Sequence, residues 1–269
     1  MCQHLQWLRS DLGDSGCIDG SYQTVSFLLT VLQFTLPYVD ESSGLPVVRT
    51  RQEAPMPDEK LIVIYDTFCG WCYGASPVFD ALIETDAEVE VLHRHLFQGA
   101  SAPKMSEGKG AQILQTIPHV QALTGQVFSE AFKSKIALSE TEILESGLSA
   151  QAAALIHDQG PQKEFALRHR LENLHFGEGM SSSDRQAIVD ALIAEGVPAD
   201  QAERVGTPEL AAEAAKISAQ AQAWMSAVGS RGVPTVLRVA GDDVTQIDHQ
   251  SFYGRAKAVP SNPKELETV

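Results

Sequence analysis

The stretch that decides the fold of this chain is Leu61-Ile62-Val63-Ile64-Tyr65-Asp66-Thr67-Phe68-Cys69-Gly70-Trp71-Cys72. Its first five residues are apolar and rich in β-branched side chains, which predicts a buried strand. Residues 75–85 have apolar side chains at helical spacing, and Pro77 suits a first helical turn. The two cysteines therefore lie where a predicted strand turns into a predicted helix.

A thiol at the N-terminus of a helix faces unpaired N–H groups and the positive end of the helix dipole, which favour the thiolate. This placement favours redox catalysis by Cys69 and Cys72, but three other interpretations stay open. A structural zinc site needs four ligands, and the only other cysteines are Cys2 and Cys17. A disulfide across two residues would close a small loop and add little stability. Two core thiols would be inert.

Composition and charge exclude several classes of protein. The chain has 269 residues, enough for a core without disulfides, and its four cysteines are too few for a disulfide framework. A net charge of −15 argues against nucleic acid and anionic membrane as partners. The longest apolar run, residues 25–38, is short and interrupted by polar side chains. We therefore expect no transmembrane helix and a cytoplasmic protein.

Residues 1–55 differ from the rest of the chain because their apolar residues show no strong helical or strand periodicity. We interpret them as a weakly ordered N-terminal extension, or as upstream sequence from a mis-assigned start, since Met56 would make a natural protein start. Residues 56–269 are expected to form one domain.

The order of predicted elements gives the fold class. Predicted strands at 61–65 and 89–97 flank the first helix and form a β-α-β unit. After a long helical block, strands at 235–239 and 244–247 and a closing helix at 249–258 complete the pattern. This order is that of an α/β, thioredoxin-like fold with an all-helical insertion subdomain.

The predicted insertion spans about 104–228 and is recognised by apolar residues at spacings of three and four. Its predicted helices cover 113–123, 127–137, 149–159, 163–173, 185–195 and 207–228. Because the insertion is so long, we expect a subdomain rather than a loop, lying over the sheet and deciding which substrates reach Cys69.

A second motif, Gly232-Val233-Pro234-Thr235, comes just before the third predicted strand. A proline that opens a strand can be a simple edge residue with no donor to lose. In thioredoxin-like proteins this position carries a cis proline opposite the cysteine pair, where the backbone can pair with an extended substrate. The two motifs together are far more specific than either alone.

Residues 61–258 resemble the DsbA family of thiol–disulfide oxidoreductases, in particular its FrnE-like branch. The resemblance rests on Tyr65 to Gly74, on Gly177-Glu178-Gly179-Met180-Ser181, on the helical insertion and on Gly232 to Thr235. Many relatives have proline where Gly70 stands. The resemblance implies exchange of disulfides with protein or small-thiol substrates, with no metal and no cofactor besides a redox-active disulfide. Glutathione is a candidate co-substrate.

The expected roles of the site residues follow from this resemblance and from the position of the pair. Cys69 is expected to attack as a thiolate, and the more buried Cys72 to resolve the mixed disulfide. Gly70 and Trp71 are expected to tune the pair and shape the local surface. Val233 is expected to offer backbone hydrogen bonds to substrate beside a cis Pro234.

A rival function belongs to a different class. Kappa-class glutathione transferases and 2-hydroxychromene-2-carboxylate isomerases share the inserted thioredoxin fold but usually keep a lone serine or cysteine at the first position. The presence of Cys72 favours redox chemistry, because a resolving thiol is of no use to a transferase. A non-enzymatic binder or chaperone that uses an apolar face of the insertion is a third possibility.

Five side chains receive a further expectation. His93 and His95 alternate along the second predicted strand, and a solvated or hydrogen-bonded face is favoured over a metal site. Asp66 is expected to be exposed or to cap a helix, in preference to a buried proton shuttle. Trp71 is expected on a partly exposed rim, whereas the helical pattern places Trp224 in the core.

Overall fold

The computed structural model describes residues 59–269, so the predicted extension over residues 1–55 lies outside the described residues. The strands are β1 (Glu59–Tyr65), β2 (Glu88–His93), β3 (Thr235–Ala240) and β4 (Asp243–Gln246). They form a sheet of order β2-β1-β3-β4. β1 pairs with β2 in parallel and with β3 antiparallel, and β3 and β4 form the antiparallel hairpin. This confirms the predicted fold class.

The helices of the described part complete this pattern. They are α1 (Gly70–Ile83), α2 (Lys109–Thr124), α3 (Glu130–Phe132), α4 (Gly147–Ile156), α5 (Pro161–Glu172), α6 (Arg185–Ala194), α7 (Ala199–Ala202) and α8 (Pro208–Ala227). All but α1 lie between β2 and β3, which is the predicted helical insertion. None of these helices is both long and apolar enough to cross a membrane.

β1 is central because its apolar residues are buried on both faces of the sheet. Leu61 and Val63 join the core formed with α1. Ile62 and Ile64 join a second core, which includes Ala221 of α8. A strand covered on both faces reads as a continuous apolar run rather than an alternating one. Because β1 is fixed in the centre of the sheet, the loop that follows it places the cysteines at the end of the sheet.

Helix α1 begins at Gly70, five residues before the predicted start. Pro77 therefore lies inside the helix, and its placement in a first turn was wrong. Proline provides no N–H for the Tyr73 carbonyl, which instead accepts a hydrogen bond from Nε2 of Gln126 at 3.2 Å. Because a loop residue compensates for the missing donor, the sequence of α1 alone could not place its start.

Strand β2 ends at His93 rather than near residue 97. Beyond it the backbone leaves the sheet to meet side chains: the Leu96 N–H donates to Asp66 at 3.0 Å, and the Phe97 N–H donates to Ser146 at 3.2 Å. These acceptors come from distant parts of the chain. The apolar pattern therefore overestimated the length of the strand.

Three predicted helices are less regular than expected. Those at 127–137 and 163–173 end in π-helical segments, Lys133–Ala137 and Asn173–Gly177. The closing helix at 249–258 is instead two short 3₁₀ segments, His249–Phe252 and Ala256–Ala258. Gly254 separates these two with a φ of 70°, which a regular helix cannot contain.

Candidate active site

The two predicted motifs meet at the N-terminus of α1. Cys69 is the N-cap residue, and its Sγ lies 3.9 Å from the carbonyl oxygen of Val233. The Val233–Pro234 peptide bond is cis, as predicted. Both cysteines are free thiols; Cys69 is 9 % exposed and Cys72 is fully buried. The thiol nearer the surface therefore faces the loop that could hold a substrate.

The surroundings of the two thiols separate their acidities. A hydrogen bond from the Cys72 thiol lowers the pKa of Cys69, and backbone N–H groups of Cys72 and Trp71 in the first helical turn act in the same direction. Burial raises the pKa of Cys72 well above its ordinary value. The negative charge of the pair therefore resides on Cys69, which suits a nucleophile.

Asp66 is fully buried, so the expectation that it is exposed was wrong. Its carboxylate accepts hydrogen bonds from the N–H groups of Phe68 at 2.9 Å and Leu96 at 3.0 Å, while its own N–H donates to Cys72 Sγ at 3.5 Å. Burial raises the pKa of Asp66 to about 6. Its charge in turn raises the pKa of both thiols. Asp66 therefore lies beside the buried Cys72 thiol, to which its backbone N–H is hydrogen-bonded.

His93 and His95 are buried and hydrogen-bonded rather than solvated. His93 Nε2 lies 3.2 Å from Thr67 Oγ1, and His95 Nδ1 lies 3.2 Å from Gln98 Oε1. Burial lowers the pKa of both rings, which keeps them neutral. Within residues 59–269, no three His, Cys, Asp or Glu side chains are grouped as a metal site requires.

Trp71 is half-buried on the rim beside the cysteines, as expected. Its ring stacks on Tyr253 with centroids 6.5 Å apart and meets His119 edge-on at 5.6 Å. The Tyr253 hydroxyl is buried and has no hydrogen-bond partner in the described structure. Burial raises the Tyr253 pKa, and the charges of Cys72 and Cys69 raise it further. Trp224, predicted to be in the core, is only partly buried against it.

Sequence reasoning missed Tyr253, because nothing in the predicted closing helix singled it out. It also missed a pocket of about 230 Å³ beside Cys69. The walls of this pocket are largely apolar, and they come from the start of α1, from the loop after β2 and from the insertion. The aromatic residues are Phe68, Trp71, Phe97, Phe128, Phe132 and Phe176. No local signal joins these distant residues.

Comparisons with known proteins agree with this fold. The family model of the DSBA-like thioredoxin domain matches residues 60–254. No curated protein matches the chain. Among solved structures, the cytosolic disulfide reductase DsbM from Pseudomonas aeruginosa is 22 % identical with a TM-score of 0.62, covering 74 % of this chain and 93 % of its own.

Two further structures give the same result. DsbM solved with GSH is 22 % identical with a TM-score of 0.60, covering 74 % of this chain and 94 % of its own. A protein from Nitrosomonas europaea is 20 % identical with a TM-score of 0.59, covering 71 % and 89 %. At these identities the likeness shows the fold.

Proposed function

The chain belongs to the DSBA-like thioredoxin domain family of thiol–disulfide oxidoreductases, and we propose that it exchanges disulfides with protein or small-thiol substrates through Cys69 and Cys72. One observation carries this proposal. Cys69, with its lowered pKa, lies at the helix N-terminus opposite the Val233 carbonyl, and the fully buried Cys72 is the next thiol along the same turn.

The reaction proceeds in two exchanges. The Cys69 thiolate attacks one sulfur of a substrate disulfide, so that a Cys69–substrate bond forms and the other substrate sulfur leaves as a thiolate. Cys72 then loses its proton and attacks Cys69, which forms the Cys69–Cys72 disulfide and releases the second substrate thiolate. The substrate gains two electrons and the cysteine pair loses two. Run in reverse, the same steps oxidise a dithiol substrate.

Asp66 supports the second exchange. Cys72 is a poor nucleophile while it keeps its proton, and burial raises its pKa. Above about pH 6 the Asp66 carboxylate is ionised and can accept that proton. In this proposal Asp66 is a positioning and proton-accepting residue rather than a group that touches substrate.

Four further residues have proposed roles in binding and tuning. The Val233 backbone, next to Pro234, pairs with an extended substrate segment. Trp71 shapes the surface that the substrate meets. A larger residue would fit at position 70 without a steric clash, because a Cβ there would lie 3.5 Å from the Phe128 ring, which is an ordinary van der Waals contact. The role of Gly70 is therefore to set the relative stability of thiolate and disulfide.

Glutathione is our proposed small-thiol co-substrate, and the cytoplasm our proposed location. The first is supported by the existence of a DsbM structure with GSH and the second by the description of DsbM as cytosolic. Assignment to the FrnE-like branch rests on the sequence motifs alone. The rival glutathione transferase or isomerase function gains no support from a pair that keeps a buried second thiol.

Insulin reduction in the presence of dithiothreitol tests the proposal. We expect Cys69→Ser to abolish turnover. Incubated with insulin in the absence of dithiothreitol, Cys72→Ser should accumulate a disulfide-linked complex through Cys69, detected by mass spectrometry on a non-reducing gel band. Unchanged turnover in Cys69→Ser contradicts the proposal. Conjugation of glutathione to an electrophile, without any disulfide turnover, would favour the rival.

A further inference from the structure

The pocket beside Cys69 has no part in the exchange steps, yet the reactive cysteine forms one of its walls. Cys69 and Trp71 line one side, and Ile113, Thr116 and Ile117 of α2 line another. Because most of its remaining lining is apolar, a polar ligand would lose much of its hydration there and gain few hydrogen bonds in return. An apolar group of matching size would gain about 25 cal/mol for each Å² removed from water.

Lys109 is the cation that lines this pocket. Its Nζ lies 5.7 Å from the centroid of the Phe97 ring and donates to Gln112 Oε1 at 3.3 Å. No carboxylate within residues 59–269 lies within ion-pair distance of it. In a chain with a net charge of −15, a cation held against an aromatic ring and left without a counter-ion attracts an acidic group.

His175 gives the lining one further polar group. Its Nδ1 lies 2.7 Å from the Met180 carbonyl oxygen, and its Nε2 is buried without a partner in the described structure. Burial lowers the His175 pKa to about 4, so the ring is neutral at pH 7. Nδ1–H therefore donates to Met180, and Nε2 keeps a free lone pair. The lining adds no second positive charge here that would compete with Lys109 for an anion.

We propose that this pocket selects protein substrates by taking an aromatic side chain that neighbours their reactive cysteine, while an acidic residue of the same segment pairs with Lys109. The proposal rests on the exchange function proposed for Cys69. An extended peptide can satisfy the requirements together: its backbone pairs near Val233, its sulfur reaches Cys69, and its neighbouring side chain enters the pocket. The occupant is thus a peptide segment with an aromatic and an acidic residue.

Three short peptides test this preference. Each carries one cysteine as a mixed disulfide with 5-thio-2-nitrobenzoate, followed by Phe-Glu, Ala-Glu or Phe-Lys. Attack of Cys69 on the peptide sulfur releases the coloured thiolate, which gives a second-order rate constant for the reduced enzyme. Each rate is divided by that of the same enzyme on 2-hydroxyethyl disulfide, which is neutral and has no ring. We expect the Ala-Glu peptide to react about tenfold more slowly than the Phe-Glu peptide, and the Phe-Lys peptide several-fold more slowly.

Two variants identify the residues responsible. Lys109→Glu should reverse the preference between Phe-Glu and Phe-Lys, whereas Lys216→Glu, an exposed charge on α8, should leave it unchanged. Thr116→Trp should fill the pocket and remove the preference for Phe over Ala. Gln115→Trp, on the exposed neighbouring position, should keep that preference.

The outcomes separate the two proposals. Equal normalised rates for all three peptides overturn the pocket proposal, as does a Lys109→Glu variant that keeps the wild-type preference. If the wild-type enzyme reacts with neither the peptides nor 2-hydroxyethyl disulfide, the exchange function itself fails.

Discussion

Asp66 holds its carboxyl group out of contact with water, one residue after β1 ends. Burial raises its pKa from 3.8 to about 6, although hydrogen bonds from Leu96 and Phe68 act in the opposite direction. The folded protein therefore binds this proton more tightly than the unfolded chain does. Between pH 4 and 6 the free energy of unfolding falls as pH rises, and above pH 6 the cost stays at about 3 kcal/mol.

Replacement of Asp66 by asparagine should remove this pH dependence. The side chain keeps its size but cannot ionise, so the stability of Asp66→Asn relative to wild type should rise by about 3 kcal/mol between pH 4 and pH 6 and then stay level. Urea unfolding of the reduced proteins at a series of pH values measures the difference. Asp242→Asn, at an exposed turn, is the control with a flat difference. A flat difference for Asp66→Asn as well contradicts the assignment.

The site residues that could be predicted from sequence are those marked by the pattern of their immediate neighbours in the chain. Cys69 and Cys72 stand between a strand pattern and a helix pattern, and Pro234 opens a strand. The burial of Asp66 had no such signal, because it depends on Leu96 turning back toward the end of β1. Tyr253 likewise becomes part of the site only when the C-terminal segment stacks it on Trp71.

Among the elements, α2 makes unusually close contacts on two sides. A Cβ on Gly74 of α1 would lie 2.8 Å from a Val120 methyl group of α2. A Cβ on Gly110, in the first turn of α2, would lie only 1.8 Å from the Ala137 carbonyl oxygen. Since backbone cannot yield as a flexible side chain can, Gly110 sets the distance between α2 and the π-helical segment Lys133–Ala137, near one wall of the pocket.

Gly110→Ala should therefore destabilise the fold even though alanine is the better helix former. Helix propensity would gain about 1 kcal/mol, but the clash requires α2 or the π-helical segment to move, for which we expect a net loss of about 2 kcal/mol. Urea unfolding measures it. Gly147→Ala is the matched control, because its Cβ meets only the flexible carboxylate of Glu145 at the start of α4. Equal stability of the two variants would rule out this packing argument.

The sequence predicted well those elements whose apolar residues repeat at a regular spacing and whose ends are not changed by contacts with distant residues. α8 was predicted at 207–228 and spans Pro208–Ala227, with Thr207 and Pro208 marking its start. The π-helical end of α5 was not predictable, since a single extra residue per turn leaves the apolar spacing almost unchanged. That irregular segment carries His175 and Phe176 into the pocket wall.

At the scale of the whole molecule, Arg168 joins the insertion to the part of the fold that carries the cysteines. Its side chain, on α5, is fully buried and lies over the rings of Phe79, of α1, and Tyr65, of β1. Its Nη2 lies 3.8 Å from Glu172, which accepts a hydrogen bond from Ser76 of α1 at 2.8 Å. Two buried charges thus connect α5 to the helix that Cys69 caps.

Removing both of these charges should cost less than the sum of the two single removals. Arg168→Met leaves Glu172 buried without its cation, which should cost about 3 kcal/mol, and Glu172→Gln should have a cost of similar origin. The double variant leaves no uncompensated charge, so its loss should be smaller than the sum of the two by about 2 kcal/mol. The same cycle on the exposed pair Arg204 and Glu213 should give less than about 1 kcal/mol. Urea unfolding of the wild type and the six variants measures both couplings. If the buried pair proves additive, Arg168 is held by its aromatic neighbours alone and the electrostatic connection between insertion and active-site helix does not exist.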